Sequence, residues 1–308
     1  MELIRGPLNL RERHRGSVVT IGTFDGIHLG HQALLDRLCS HAGRLSRAAM
    51  VLTFEPMPRE YMKPESPPAR LTSWRERWRL LRARGIDYMC VLRFDERLRN
   101  LSAGDFAAIL ANQLHAHLIV VGHDFRFGRN GEATASGLAE AGAALGFAVD
   151  VVPPVLQGGM RISSSGVRQA LAHGNFGVAQ SWLGRPYSMT GRVVEGNQLG
   201  RKLGFPTANL RTGRRRVPVA GIFAVRVHGV APEPMPGVAS LGTRPTVAGG
   251  GEMLLEAHVF DFAGELYGRE IEVEFVSKLR DEERFADLDA LVAQMNKDAV
   301  EARRILAP

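Results

Sequence analysis

Two histidines three residues apart, His28 and His31, stand in the stretch Gly22-Thr-Phe24-Asp25-Gly-Ile-His28-Leu-Gly30-His31. An imidazole can donate a hydrogen bond to a phosphate. Gly30, between them, lets an anion approach the backbone closely. Val18–Ile21, just before, is an apolar run of strand type, and Leu34, Leu35 and Leu38, just after, recur at helical spacing. Strand, glycine turn and helix together aim backbone N–H groups and a helix N-terminus at an anion. The chemistry indicated is the binding of a nucleotide through its phosphates. The plainer alternative is a pair of histidines that merely pack the turn. A second set of phosphate-type groups lies at Gly159–Arg168, where Ser163, Ser164 and Ser165 stand between Arg161 and Arg168 at the start of an expected helix over Val167–Leu171. One hydroxyl would cap that helix. Three, with a guanidinium on each side, exceed a cap and suit a polyphosphate.

A third candidate is the loop Gly196-Asn-Gln-Leu-Gly200-Arg-Lys202-Leu-Gly204-Phe-Pro206-Thr207-Ala-Asn209. Glycines alone are weak signals, because turns need them too. The loop lacks the Gly-Lys-Ser/Thr order of a Walker P-loop. Further on, Glu256 and His258 are two residues apart, which puts them on one face of a strand. An exposed barrel carboxylate would show the same spacing.

The elements that must carry these groups differ between the two halves. Met50–Phe54, Tyr88–Leu92 and His117–Val121 read as buried parallel strands, with helices expected after Ser73 and Ser102. Asp105 is placed for a capping-box contact. Repeated βαβ units imply an α/β, doubly wound, Rossmann-like sheet, whose ligands bind beyond the carboxyl ends of the strands. Thr53–Glu60 and Gly122–Gly128 fall there. After Tyr187 the chain becomes short β segments broken by Gly and Pro, at 191–194, 221–227, 254–262 and 271–276. This predicts a small antiparallel barrel. A terminal amphipathic helix follows, with Leu288, Leu291, Val292, Met295, Ala299, Ala302 and Ile305 on one stripe. The boundary is expected near residue 186, giving domains of 1–186 and 187–308. Residues 231–251 are rich in Pro and Gly and are expected to be partly mobile.

The 308 residues suffice for two cores, and 45% hydrophobic with 23% charged residues is an ordinary globular composition. No run is long enough to span a bilayer. The N-terminus lacks the apolar core of a signal peptide. Cys39 and Cys90 make no disulfide framework or metal cluster, so a cytoplasmic location is expected. The net charge of +7 invites a nucleic-acid reading. However, the arginines of 75–84 and of 211–216 have no aromatic stacking platforms beside them. Both groups read as solvated surface, and positive potential has another use toward polyphosphate substrates. No nucleic-acid or membrane partner is expected, and any self-association is expected to be weak or transient.

His28-Leu-Gly30-His31 resembles the HxGH signature of nucleotidylyltransferases. Class I aminoacyl-tRNA synthetases carry a related signature, but their lysine-rich KMSKS-type partner motif has no counterpart here. Arg161–Arg168 is similar to the ISSTxxR element that pairs with HxGH, with Ser165 in place of threonine. The 196–209 loop with Pro206-Thr207-Ala-Asn209 resembles flavokinases, and Gly242-Thr-Arg-Pro245, Leu255-Glu256-Ala-His258, Leu266-Tyr-Gly268 and Leu279-Arg280 continue the resemblance. In this order, over nearly the whole chain, the motifs resemble the bifunctional prokaryotic riboflavin kinase/FAD synthetase family.

The resemblance implies an N-terminal FMN adenylyltransferase and a C-terminal flavokinase barrel. Riboflavin and ATP would give FMN and ADP, and FMN with a second ATP would give FAD and pyrophosphate. In the adenylyltransferase, Gly22, Phe24, Asp25, His28, His31, Ser163, Ser164 and Arg168 would bind ATP. Asp124, Phe125, Pro56 and Pro58 would flank FMN. In the kinase, Gly196, Gly200, Lys202, Gly204, Thr207 and Asn209 would bind ATP, with Thr207 and Asn209 as ligands of Mg²⁺. Glu256 would be the general base for the ribityl hydroxyl. Two residues depart from the family pattern: Met57 stands where histidine is frequent, and Ser240 where asparagine is common. The first leaves the family's polar FMN contact either absent or replaced, and the second puts a loop-fixing hydrogen bond in doubt. A single-activity relative and a cytidylyltransferase share parts of the pattern; the second domain argues against the cytidylyltransferase.

Overall fold

The computed structural model describes residues 1–196, 200, 203–243 and 253–307. Packing divides the chain into residues 1–68 with 77–163 and residues 69–76 with 164–308. Each unit is described by itself.

The first unit carries β1 (Glu2–Arg5), β2 (Val18–Ile21), β3 (Ala49–Glu55), β4 (Tyr88–Arg93), β5 (Leu118–Gly122), the short β6 (Arg126–Phe127) and β7 (Ala133–Thr134), β8 (Ala148–Val152), and the short β9 (Leu156–Gln157) and β10 (Met160–Arg161). Six of these form a parallel sheet in the order β1-β4-β3-β2-β5-β8. Helices α1 (Leu29–Arg44), α2 (Pro58–Met62), α3 (Trp74–Ala83), α4 (Glu96–Arg99), α5 (Ala103–Asn112) and α6 (Ala135–Leu145) connect them, residues 74–76 of α3 grouping with the second unit. Every residue of β2 is buried, as expected where crossover helices cover both faces. The strand order reverses between β2 and β5, so their carboxyl ends flank the crevice where such sheets bind ligands. The two outer strands were not foreseen. β8 is half-exposed, and its residues lack the continuous apolar run of a central strand.

The expected helix starts have identifiable caps. Ser73 Oγ accepts from Glu76 N at 3.3 Å while the Glu76 carboxylate accepts from Ser73 N at 2.7 Å. Ser102 Oγ accepts from Asp105 N at 3.1 Å, but the Asp105 carboxylate accepts from the Ser102 hydroxyl rather than its backbone. The reading of the basic residues as solvated surface needs correcting at two positions. Arg77 is only 2% exposed; it donates to the Thr23 carbonyl at 2.8 Å and pairs with Glu55 at 3.0 Å. Arg214 is also buried and pairs with Glu76, whose carboxylate further accepts from Thr190 N at 2.6 Å. A buried guanidinium is costly unless a carboxylate and hydrogen bonds compensate it. Both nitrogens of the Arg77 fork are engaged, whereas Arg214 engages Glu76 and the Leu71 carbonyl through Nη2 while its Nε and Nη1 have no hydrogen-bond partner among the described residues.

The second unit holds α7 (Ser164–Ala172), α8 (Phe176–Leu183), the strands β11 (Ser188–Val194), β12 (Ala208–Arg211), β13 (Gly221–His228), β14 (Met235–Thr243), β15 (Met253–Val259) and β16 (Glu270–Arg280), and the terminal α9 (Leu288–Leu306). The strands close an antiparallel barrel in the order β11-β12-β15-β14-β13-β16. Most of the stretch expected to be partly mobile is therefore either β14 or lies outside the described residues. Phe176 of α8 packs edge-on to Phe223 at 5.8 Å and parallel to Phe275 at 6.2 Å. Ala302 and Leu306 of α9 join Ala224 and Phe260 in a barrel-side core. Leu288, placed on the apolar stripe from spacing, is 55% exposed at the helix start. No described helix is long and apolar enough to cross a membrane.

Candidate active sites

In the first unit β2 delivers the chain into Gly22, whose N–H is held by the Leu52 carbonyl at 3.1 Å. Phe24 and Ile27 then adopt φ of 51° and 41°. The left-handed region is unfavourable for a bulky or β-branched side chain, and such strain persists only where the surroundings enforce it. Here they do: Phe24 is 0% and Ile27 1% exposed, and Gln32 Nε2 donates to the Ile27 carbonyl at 2.9 Å. Asp25 is also buried in this turn. His28 caps α1, its Nδ1 accepting from His31 N at 3.3 Å. That bond leaves the proton of neutral His28 on Nε2. The His31 ring stacks on His28, with centroids 3.8 Å apart and planes 14° apart, and Phe24 closes on His31 at 5.2 Å. A Cβ at Gly30 would stand 3.2 Å from the His28 ring and 3.6 Å from the Ile162 carbonyl. The glycine thus allows that ring position. It also brings Ile162, and with it Ser163, to the turn. Ser164, Ser165 and Arg168 open α7 in the second unit, where Arg168 Nε donates to the Ala69 carbonyl at 2.6 Å.

The loops expected to flank FMN follow β3 and β5. Pro56 and Pro58 surround Met57, which is 4% exposed. A thioether turned into the core stands where a polar contact was expected, so position 57 offers none. Asp124 pairs with Arg161 of β10. Burial works against its carboxylate, but the hydrogen bond and charge of Arg161 outweigh it and hold the pKa below the ordinary value. Phe125 stacks on Phe127 at 5.6 Å.

In the barrel, cross-strand register sets Asn209, Glu256 and Ser240 abreast on β12, β15 and β14. All three line a cleft of about 540 Å³ together with Thr207, Gly200 and His258. Thr207 Oγ1 donates to the Glu256 carboxylate at 3.4 Å, and the His258 ring is 2.8 Å from the Pro206 carbonyl. Gly196 lies against Asn209: a Cβ there would come within 2.3 Å of the amide. Gly204 is exposed, and Lys202 lies outside the described residues. Thr207 also lines a second cleft of about 310 Å³ with Val193, Pro206, Phe262, Leu266 and Tyr267. The two clefts therefore share Thr207.

Spacing alone missed the far wall of the first cleft, made by Phe285, Leu291, Met295, Arg280 and Asp298. Arg280 forks onto Asp298, with Nε 3.0 Å from Oδ1 and Nη2 2.8 Å from Oδ2. One signal was available: Asp298 interrupts the apolar stripe of α9 and is buried there.

The buried Asn209 Oδ1 has no hydrogen-bond partner among the described residues. An amide oxygen beside a hydroxyl is a hard-oxygen donor pair of the type Mg²⁺ prefers, with phosphates and water completing its shell. No cluster of three or more His, Cys, Asp or Glu able to hold a metal occurs among the described residues. That donor set fits a magnesium ion carried in with a nucleotide.

Residues 10–166 match the FAD synthetase family and residues 183–306 the riboflavin kinase family. The chain is 46% identical to the bifunctional riboflavin kinase/FMN adenylyltransferase of Pseudomonas fluorescens, covering 100% of this chain and 99% of that one. It is also 46% identical to the protein of that name from Escherichia coli K12, over 98% and 97% of the two chains. A solved structure described as a macrolide-efflux protein from Streptococcus pneumoniae is 32% identical, with a TM-score of 0.81 over 98% of each chain.

Proposed function

The chain belongs to the family of bifunctional riboflavin kinase/FMN adenylyltransferases, and from that premise we propose which residues perform its two reactions. The enzyme phosphorylates riboflavin with ATP to FMN, then adenylates FMN with ATP to FAD and pyrophosphate.

The barrel cleft takes riboflavin and the adjoining cleft takes ATP, so that the γ-phosphoryl group arrives at Thr207. The observation that carries this reading is the meeting of the two clefts at Thr207, beside Glu256. Glu256 accepts the proton of the ribityl hydroxyl as it attacks. Thr207 and Asn209 would hold a magnesium ion, which would supply charge neutralisation for the transferring phosphate. Phe285, Leu291 and Met295 supply an apolar wall for the flavin ring. Gly196, Gly200, Lys202 and Gly204 belong to the loop over the phosphates.

In adenylyl transfer the FMN phosphate is already an anionic nucleophile, so no strong base is needed. The work is to offset repulsion between anions and to stabilise the departing pyrophosphate. His28, donating through Nε2, and His31 take the ATP phosphates at the α1 N-terminus, where the helix dipole favours negative charge. Gly22, Phe24 and Asp25 shape that turn. Ser163, Ser164 and Arg168 hold the outgoing pyrophosphate, and Asp124, Phe125, Pro56 and Pro58 flank FMN.

We place the division between the catalytic modules near residue 186. The enzyme works in the cytoplasm, with weak or transient self-association and no nucleic-acid or membrane partner. The internal ion pairs of Arg77 and Arg214 support the view that the basic charge does not serve a nucleic acid.

Three variants test the residue roles. Glu256→Gln is expected to slow FMN formation by ~10²–10⁴-fold, the usual scale of general-base help, with adenylation of supplied FMN unchanged. His28→Ala and His31→Ala are each expected to cost about 3–4 kcal/mol in FAD formation, the scale of one lost pre-aimed donor, with FMN formation intact. A stable histidine variant making FAD at the parent rate, or a Glu256→Gln enzyme with the parent kinase rate, would remove that residue from its role.

A further inference from the structure

Arg77 occupies a position on α3 that an apolar residue would ordinarily fill. Ser73, Arg77 and Leu81 follow one another at four-residue spacing on the buried side of the helix, and all three are inaccessible to solvent or nearly so. Apolar side chains of similar volume often replace buried ion pairs without loss of stability, so stability alone does not account for a guanidinium here. Its contacts suggest another reason. Nη1 donates to the carbonyl of Thr23 at 2.8 Å, and Nη2 donates to the Glu55 carboxylate at 3.0 Å. One planar group thus ties the turn after β2 to the carboxyl end of β3.

The Thr23 carbonyl belongs to the peptide that enters Phe24, whose φ is 51°. Fixing that carbonyl fixes the peptide plane on one side of a strained residue. The Phe24 ring in turn lies 5.2 Å from His31, and His31 lies 3.8 Å from His28. A continuous series of contacts runs from the guanidinium through Thr23 and Phe24 to both imidazoles.

We propose that Arg77 is a positioning residue for adenylyl transfer: it holds the Thr23–Phe24 peptide against the Glu55 end of β3 so that His28 and His31 meet the nucleotide phosphates in register. This rests on the assignment of the histidine turn to that reaction. Arg77 touches no reacting atom, so it acts on the rate of the chemical step rather than on nucleotide affinity. A misplacement of about 1 Å remote from the reacting atoms can cost ~10²-fold.

The test uses the full-length enzyme and reads riboflavin phosphorylation and FMN adenylation separately, each with kcat and KM, beside a thermal melt. Arg77→Met is expected to lower kcat for FAD formation by about 10²-fold. KM for ATP should stay within about threefold and the kinase rate within about twofold. Millimolar guanidinium ions should restore at least about tenfold of the lost rate by refilling the site. Should Arg77→Met fail to fold, Arg77→Lys decides: an ammonium cannot bridge both partners in the fork geometry, so the FAD rate should fall by about tenfold. His31→Ala runs alongside. If it abolishes FAD formation while the Arg77 variants retain the parent kcat, the proposal is wrong and the histidine site stands. A parent-like rate in His31→Ala overturns both. A raised KM at unchanged kcat, or equal loss of both activities with a lowered melt, also overturns the proposal.

Discussion

Removing residues 164–186 from an isolated kinase module should weaken it severely, although the proposed boundary between the catalytic modules is near residue 186. The barrel's Phe223 and Phe275 are 0% and 2% exposed, and Phe176 of α8 contributes directly to that burial. Trp182 and Leu183 of the same helix are 8% and 1% exposed. Losing one buried phenylalanine costs ~3–5 kcal/mol, against a whole-domain stability of about 5–15 kcal/mol. A fragment of residues 187–308 should therefore be less stable than one of residues 164–308 by at least about 3 kcal/mol. Both lack residues 69–76 and lose the Glu76 partner of Arg214 equally, so that term cancels in the comparison. Urea titration followed by circular dichroism measures the difference. With a slope near 2 kcal/mol/M, the midpoint should drop by about 1.5 M. In the full-length chain, Phe176→Ala should show a loss of similar size. Midpoints within about 0.3 M of each other would refute the claim that α7 and α8 complete the barrel core.

Gly30→Ala sets two effects against each other. Alanine favours helix α1 by up to ~1 kcal/mol, while its Cβ would press on the His28 ring at 3.2 Å. The melt should stay level or rise while FAD formation falls about tenfold, and an unchanged FAD rate would show that the ring position is immaterial. Cysteine labelling probes burial: Cys90 is fully buried and its thiol is pushed up to about 12 by that burial. Burial, then the Asp36 and Asp87 charges, raise Cys39 as well. At pH 8 the native enzyme should leave Cys90 unalkylated and label Cys39 slowly, whereas urea-unfolded chain should take two labels. Mass spectrometry of the peptides decides, and rapid native labelling at Cys90 would contradict the packing of β4.

The parts of this molecule that were legible in sequence are those whose signal is local. The histidine turn announces itself because strand, glycine and helix follow one another within a few residues. Ser73 and Ser102 mark helix starts for the same reason. What stayed hidden depends on partners remote in the chain. Arg77 and Arg214 look solvated in any window of sequence, and only Glu55 and Glu76 make them buried. β8 carries exposed alanine and valine at a sheet edge, so periodicity gave no warning of it. The attachment of α7 and α8 to the barrel rests on Phe176 meeting Phe223 and Phe275 across a span of sequence that no short pattern covers. The second cleft beside Thr207 needed closure of the barrel to bring Val193 and Tyr267 together.

The most direct test of a two-site enzyme is the stoichiometry of products from riboflavin and excess ATP with Mg²⁺, resolved by chromatography over time. FMN should appear first and FAD after it, with one ADP and one pyrophosphate released for each FAD formed. Under the same conditions His31→Ala should stop at FMN with ADP alone, and Glu256→Gln should make FAD only when FMN is supplied. FAD appearing from riboflavin at the parent rate in either variant would contradict the assignment of the two reactions to separate sites.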